Sequence, residues 1–217
     1  MSMADTIAAQ DERPSGKAEA VLAAAEQTFL ARGFGAVSMD AIAREAAVSK
    51  ATVYAHFASK EELFGAVIAR VSERRFGAFS ADALDPHAVE ASLTTIAQRF
   101  LELVLSAEGV AVNRIVIAEV TRFPVLGDVF WQSGPERTRM RVEGFLRRAV
   151  EAGTLAVPDA RRAAEHFLAL ARGEIHLREL LRPEGVVDKA AIGAAANDAV
   201  AIFLRAFGTD RAPSRRG

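Results

Sequence analysis

A chain of 217 residues without a cysteine forms no disulfide and offers no thiolate to a metal, which suits a reducing compartment. Its length suffices for one large domain, or a small one joined to a larger one, with a core that needs no staple. A formal net charge of -1 excludes the strongly basic balance that marks many nucleic-acid binders.

The first residues, MSMADTIAAQDERPSGK, carry acidic side chains and no apolar run, so no signal peptide is expected. No stretch reads as the ~20 apolar residues of a bilayer span. The expectation is a cytoplasmic protein with no membrane partner and with loose tails at 1–16 and 209–217. From Lys17 the pattern turns helical. Ala18, Leu22, Ala25 and Phe29 share one face, and Gly33 stops that helix with Arg32 in its last turn. Ser38 can cap a second helix that buries Met39, Ile42, Ala43 and Ala46. After a break at Val48, Ser49 can cap a short polar helix. Ser59 opens a longer one, with Glu62 three residues on as a capping box.

The remainder also reads as helix. Breakers at Asp85-Pro86, Glu108-Gly109, Phe123-Pro124, Gly134-Pro135, Val157-Pro158 and Pro183-Glu184-Gly185 divide it near 86–107, 110–122, 125–132, 135–152, 159–181 and 187–207. No alternating apolar run suggests a strand. The expected class is all-α: a small three-helix unit at 17–63 and a larger helical domain at 64–208.

Two short helices joined by a tight turn, the second one polar, form the pattern of a helix-turn-helix. In KATVYAH (50–56), followed by Phe57, a turn of about 100° per residue points Val53 and Phe57 inward. Ala51, Thr52 and Ala55 then point outward, flanked by Tyr54 and His56, with Lys50 in the first turn. Small residues in the middle and hydrogen-bonding ones at the rim suit a helix lying in a major groove. A merely solvated helix would more often carry long charged side chains.

The stretch GFGAVSMDAIAREAAVSKATVYAHFASKEELFGAV resembles the DNA-binding domain of the tetracycline-repressor (TetR) family of bacterial regulators, through Gly33, Ser38, Ile42, Ala43, Ala46, Val48, Thr52, Tyr54, Phe57, Lys60, Leu63 and Phe64. NRIVIAEVTRFPVLGDVFWQSGPER (113–137) resembles a subgroup of the same repressors. The resemblance implies a phosphate contact for Ser38, with Ser49 at the head of the recognition helix. It implies base-edge positions for Lys50, Ala51, Thr52 and Ala55, and backbone contacts for Tyr54, His56 and Lys60. Hydroxyls, an imidazole and helix N-termini are natural phosphate donors. Of the base-facing set Lys50 can reach guanine, whereas the alanines can touch only thymine methyls. Two residues depart from the family pattern: Ala47 where glycine is usual, and Ala55 where a larger side chain is common. Charge is sparse. Residues 1–66 hold six Lys/Arg against nine Asp/Glu, but 44–60 hold Arg44, Lys50 and Lys60 against Glu45 alone.

The resemblance further implies that the larger domain binds a small effector and forms a homodimer on a palindromic double-stranded operator. A lipophilic or aromatic effector is expected, with the protein acting as a repressor that it releases. The aromatic candidates for a pocket are Phe100, Phe123, Phe130, Trp131 and Phe145. Asn113, Arg114, His166, Glu174 and His176 are polar positions in apolar helices and the candidates for orienting groups. Trp131 either gates such a pocket or packs at a helix end. The apolar stripes of 159–181 and 187–207 are wider than one core requires, which points to dimerisation through these two helices.

Rival readings are an enzyme and a helical adaptor that binds proteins rather than DNA. No glutamate has a histidine three residues on, and HExxH, GxSxG and phosphate-loop motifs are missing. GFGAVS lacks the third glycine of a dinucleotide fingerprint and follows a helix. No catalytic residue, metal ligand or cofactor is therefore expected.

Overall fold

The computed structural model describes residues 16–77, 83–182 and 187–209. The expected tails lie almost wholly outside these residues, and the break at 183–185 entirely so. The described chain divides into one unit ending at Val67 and a second beginning at Ile68.

The first unit contains α1 (Gly16–Arg32), α2 (Met39–Glu45), α3 (Lys50–His56) and the first part of α4 (Lys60–Ser72). Three phenylalanines form its centre. Phe29 and Phe34 stack at 5.8 Å between ring centroids, and Phe64 meets them edge-on at 5.2 and 5.3 Å. Val21, Ile42, Val53 and Leu63 are fully buried around them. The stripe expected of α1, Ala18, Leu22, Ala25 and Phe29, is buried; α2 and α3 add one residue each to this centre and α4 adds two. Gly33 ends α1 at a φ of 76°, a conformation that glycine adopts without strain. At the head of α4, Ser59 Oγ accepts the Glu62 N–H at 3.0 Å, while Glu62 reaches back to the N–H of Ala58 at 2.8 Å. The capping box forms, displaced by one residue on its return bond.

The second unit holds the end of α4, which runs into one π-helical turn (Glu73–Gly77), and then α5 (Val89–Val104), α6 (Ala107–Glu119), α7 (Val125–Ser133), α8 (Pro135–Glu151), α9 (Ala160–Leu181) and α10 (Lys189–Phe207). Side-chain caps open three of these: Ser106 on α6, Asp159 on α9 and Asp188 on α10. Pro135 starts α8, where its missing N–H costs nothing. Helix α9 packs on α5, α8 and α10, and α10 packs on α5. Leu93, Ile96, Leu101, Phe145, Leu146, Phe167 and Phe203 are fully buried between them, with Phe167 edge-on to Phe203 at 5.1 Å.

Two expectations change. Gly109 does not break the chain: Ser106 caps α6, and Gly109 lies in its first turn. A β-carbon there would fall 2.2 Å from the carbonyl oxygen of Leu103, so glycine lets α5 and α6 meet. Helix α10 is also long and apolar enough, by length and composition, to pass for a membrane span, where none was expected. Much of that apolarity is alanine. Ala196, Ala199, Val200 and Phe203 are buried within the unit, and the polar Asn197 and Asp198 are exposed midway along the helix. Among the described residues there is no strand, only a single antiparallel bridge between Leu155 and Gly208. Thr209 is held there, its hydroxyl donating to the Gly153 carbonyl at 2.7 Å.

Candidate nucleic-acid interface and ligand cavity

The joint between α2 and α3 is built by backbone bonds. The N–H of Val48 donates to the Ala43 carbonyl at 3.0 Å, and that of Ala47 to Arg44 at 3.2 Å. This paired pattern is a Schellman motif, whose C′ residue must be left-handed. That residue is Ala47, at a φ of 52°, where the sequence comparison with the TetR pattern expects glycine. The turn is the glycine turn, made with alanine.

Ser49 then caps α3, accepting the Thr52 N–H at 3.1 Å, and its hydroxyl lies 2.8 Å from that of Thr52. Val53 is fully buried and Phe57 half-buried, so the remaining arc faces outward. Ala51, Tyr54, Ala55 and His56 are exposed and Thr52 is half-buried. Ser38 caps α2, accepting the Ala41 N–H at 3.2 Å. Lys50 pairs with Asp40 at 2.8 Å, the two side chains being 60% and 57% exposed. The hydrogen bond from Lys50 to that carboxylate raises the pKa of the lysine. Lys60 has an internal role: its ammonium donates to the carbonyls of Phe34 (3.0 Å) and Val37 (2.9 Å) and lies 4.1 Å from the Phe34 ring centroid. It ties the α1–α2 connection to the head of α4, which the sequence reading did not foresee.

Within the second unit a cavity of about 250 Å³ opens among the end of α4 and helices α5 to α9. Its wall is apolar over Ile68, Val71, Leu103, Val104, Val112 and Leu168. Phe100, Asn113, Phe130, Trp131 and His176, all expected at a pocket, line it together. The other candidates lie elsewhere. Arg114 donates to the carbonyls of Glu179 (2.8 Å), Leu180 (3.0 Å) and Arg182 (2.5 Å), closing the C-terminus of α9. Phe145 fills the core, and Phe123 sits half-buried after α6 beneath Arg122. His166 and Glu174 are exposed, Glu174 pairing with Arg178 at 2.9 Å.

Arg139 and Arg172 are wall residues that sequence reasoning missed. Arg139 is buried on α8. Its Nε and Nη2 bond both oxygens of Glu136, at 2.9 and 2.7 Å, and its Nη1 bonds Glu143. Glu143 also accepts from Arg147 at 2.5 Å. The hydrogen bond from Arg139 lowers the pKa of Glu136, and hydrogen bonds from Arg147 and Arg139 lower that of Glu143. The bond to Glu136 raises Arg139 in turn. The available signal was glutamate three residues before and four after an arginine, a spacing that sets all three on one helix face. His176 has its pKa lowered, first by burial and then by the Arg172 charge.

An all-α chain with a helix-turn-helix in one unit and a ligand-sized cavity in the other defines the class of DNA-binding transcriptional regulators. The pattern of bacterial tetR-family regulatory proteins matches residues 21–67, and that of the C-terminal domain of AefR-like transcriptional repressors matches 91–209. The chain belongs to the TetR family of transcriptional regulators. Members of this family bind DNA and small-molecule effectors and are dimers; they are generally not enzymes. The chain is similar to the flavonoid-responsive regulator FrrA, with 38% identity and a TM-score of 0.70 over 89% of this chain and 98% of that one. A TetR-family regulator from Mesorhizobium loti is 26% identical, with a TM-score of 0.76 over 92% and 100% of the two chains. Among curated relatives, the regulator UidR of Escherichia coli is 35% identical over 97 residues, 41% of this chain and 50% of UidR. The match thus spans half the length of that relative. The activator FasR of Mycolicibacterium smegmatis is 50% identical over 50 residues, 23% of each chain.

Proposed function

We propose that this regulator is a cytoplasmic homodimeric repressor that holds a palindromic operator through two copies of α3 and leaves it when a compact aromatic effector fills the second-unit cavity. The carrying observation is the pairing, in one chain, of an exposed small-residue face on α3 with an apolar cavity that has few polar groups. Lys50, Ala51, Thr52 and Ala55 face the bases. Ser38, Ser49, Tyr54, His56 and Lys60 serve the phosphates. The likeness to AefR-like repressors supports repression, and the likeness to a flavonoid-responsive protein supports an aromatic effector. Dimerisation through α9 and α10 is supported by large apolar side chains left in water: Leu170 at 37%, Leu177 at 55%, Leu181 at 75% and Ile202 at 50% exposure.

A mobility-shift assay on the region upstream of the regulator's own gene tests this reading. A retarded band that disappears on adding a flavonoid is expected. By linkage, DNA then lowers flavonoid affinity by the same factor. The absence of any shift refutes operator binding there and favours a protein-binding adaptor. A flavonoid that binds tightly and leaves the band unchanged refutes release.

A further inference from the structure

Thr28, Thr94 and Thr95 each turn their hydroxyl back on the carbonyl four residues earlier, at 2.6, 2.8 and 3.0 Å, as threonine in a helix commonly does. Thr138 has the same option at the Gly134 carbonyl, which its own N–H reaches at 3.0 Å, and leaves it unused. The residue is 4% exposed and lines the cavity from the first turn of α8, yet its hydroxyl makes no hydrogen bond among the described residues. Nor is that oxygen enclosed in protein, as the Nε2 of His176 is. Buried polar atoms are nearly always paired, because leaving one unpaired forfeits its bond to water. A buried hydroxyl that turns away from its own helix and keeps surface at a ligand-sized cavity is a group whose partner belongs to the ligand.

The polar groups around it are uncharged, already neutralised or in water. Ser72 borders Gly134, its Oγ 3.6 Å from where a β-carbon on that glycine would stand, and its hydroxyl also makes no hydrogen bond among the described residues. Asn113 commits an amide hydrogen to the Gly109 carbonyl at 2.9 Å. Arg139, next to Thr138, has Nε, Nη1 and Nη2 all engaged by Glu136 and Glu143. Arg172 stands on an exposed edge of the wall, where solvent screens its charge.

We infer that Thr138 is a specificity-determining residue of the cavity, its hydroxyl selecting compact apolar ligands that carry an uncharged acceptor oxygen such as a carbonyl. This rests on reading the cavity as the effector site. A hydroxyl donates to such an oxygen without the cost of burying a charge. A carboxylate set against Thr138 would find Arg139 already taken by Glu136 and Glu143, and would lose its hydration with no cation in return. Ile68, Val71, Leu103 and Val112 surround an apolar body, and Phe100 and Phe130 suit a ring. A volume of about 250 Å³ lies below the ~300–1,000 Å³ usual for drug-sized sites, which favours a compact ligand.

The test is isothermal titration calorimetry on the full-length protein with three naphthalenes of similar shape. They are 2-acetylnaphthalene, 2-isopropenylnaphthalene, in which a methylene replaces the carbonyl oxygen, and the anion 2-naphthoate. A change in the emission of Trp131, the single tryptophan, checks that a probe occupies the cavity. Thr138→Val keeps the branched shape and removes the hydroxyl. It should weaken the ketone about fivefold or more and the hydrocarbon less than twofold, and Thr138→Ser should restore the ketone. The carbonyl stretch of the bound ketone needs no variant: in the natural protein its infrared frequency should lie below that in hexane. An unshifted stretch, a ketone affinity unchanged in Thr138→Val or lost equally with the hydrocarbon's, or naphthoate binding more tightly than the ketone overturns the inference and leaves the cavity as an effector site. Failure of all three probes to bind overturns both.

Discussion

Ala47→Gly should stabilise the protein, although it removes a methyl group from a helical joint. Ala47 occupies the C′ position of a Schellman motif at a φ of 52°, where a β-carbon crowds the following carbonyl. That crowding costs an L-residue about 1–2 kcal/mol. Glycine removes it but brings back about 0.4–1 kcal/mol of unfolded-chain entropy. The net expectation is about 0.5–1 kcal/mol of stabilisation, or a rise in Tm of roughly 1–4 °C for a chain of this size. The molecule contains its own control. Gly153 ends α8 in the same motif, at a φ of 74°, with its N–H on Val150 and the Thr154 N–H on Ala149 at 2.9 and 3.0 Å. Gly153→Ala should therefore lower stability by a similar amount. The assay is thermal unfolding followed by circular dichroism at one protein concentration, because a dimer's Tm depends on concentration. A lower Tm for Ala47→Gly would refute the strain argument, and an unchanged Gly153→Ala would remove its control.

Lys50→Ala should weaken operator binding by about tenfold and relax base preference, whereas Lys60→Ala should weaken all sequences and also destabilise the first unit, whose α1–α2 connection it holds; titration of operator and scrambled DNA at several salt concentrations separates the two. Asp40→Asn should raise affinity for all DNA, since it frees Lys50 and removes a negative charge from the proposed DNA-facing surface. Leu177→Glu should shift sedimentation equilibrium from a dimer towards a 23.2 kDa monomer, because its side chain is 55% exposed on the proposed interface. Arg139→Met should cost about 2 kcal/mol at neutral pH, less than a fully buried pair because Glu143 keeps Arg147. Glu136 and Glu143 have lowered pKa values, so their stabilisation is present above the ordinary glutamate range and lost as pH falls through the lowered values; the gap between Arg139→Met and the natural protein should narrow on acidification.

The first unit was legible in the sequence because its signals are local. Ser38, Ser49 and Ser59 each cap the helix that follows, and Gly33 stops α1 where expected. The recognition face could be read because Val53 and Phe57 fix the orientation of a seven-residue helix. The cavity was half legible. Phe100, Phe130, Trp131, Asn113 and His176 stood out as aromatic or polar residues in apolar helices, but the same criterion admitted His166 and Glu174, which face water. Periodicity separates a buried face from an exposed one; it does not say which buried face meets a void. Arg139 was overlooked for the converse reason. Its charge reads as solvated; the two glutamates are legible at their helical spacing, but only tertiary packing shows that the cluster is buried. The Gly109 misreading has the same origin, since a helix-breaking residue and a close-approach residue look alike in sequence.

Helix α9 has to serve both the cavity and the proposed dimer interface. Leu168, Arg172 and His176 line the cavity, Leu170, Leu177 and Leu181 are exposed, and Ala164, Phe167 and Ala171 are buried. Gly173 interrupts this helix between Arg172 and His176 with a φ of 45° and a ψ of -151°, a region open essentially to glycine alone. A β-carbon there would meet nothing within 4 Å, so packing neither demands glycine nor forbids alanine. The cost of Gly173→Ala is therefore a backbone cost. Either the kink persists, and stability falls by about 1–3 kcal/mol, or α9 straightens, and alanine gains the ~1 kcal/mol of its higher helix propensity. The second outcome must turn His176 relative to Arg172 and alter ligand affinity, because the two residues lie on opposite sides of the kink. A loss of Tm with ligand affinity kept, or a gain of Tm with ligand affinity changed, is thus expected. A variant with both unchanged would mean that the kink neither stores strain nor positions the cavity wall.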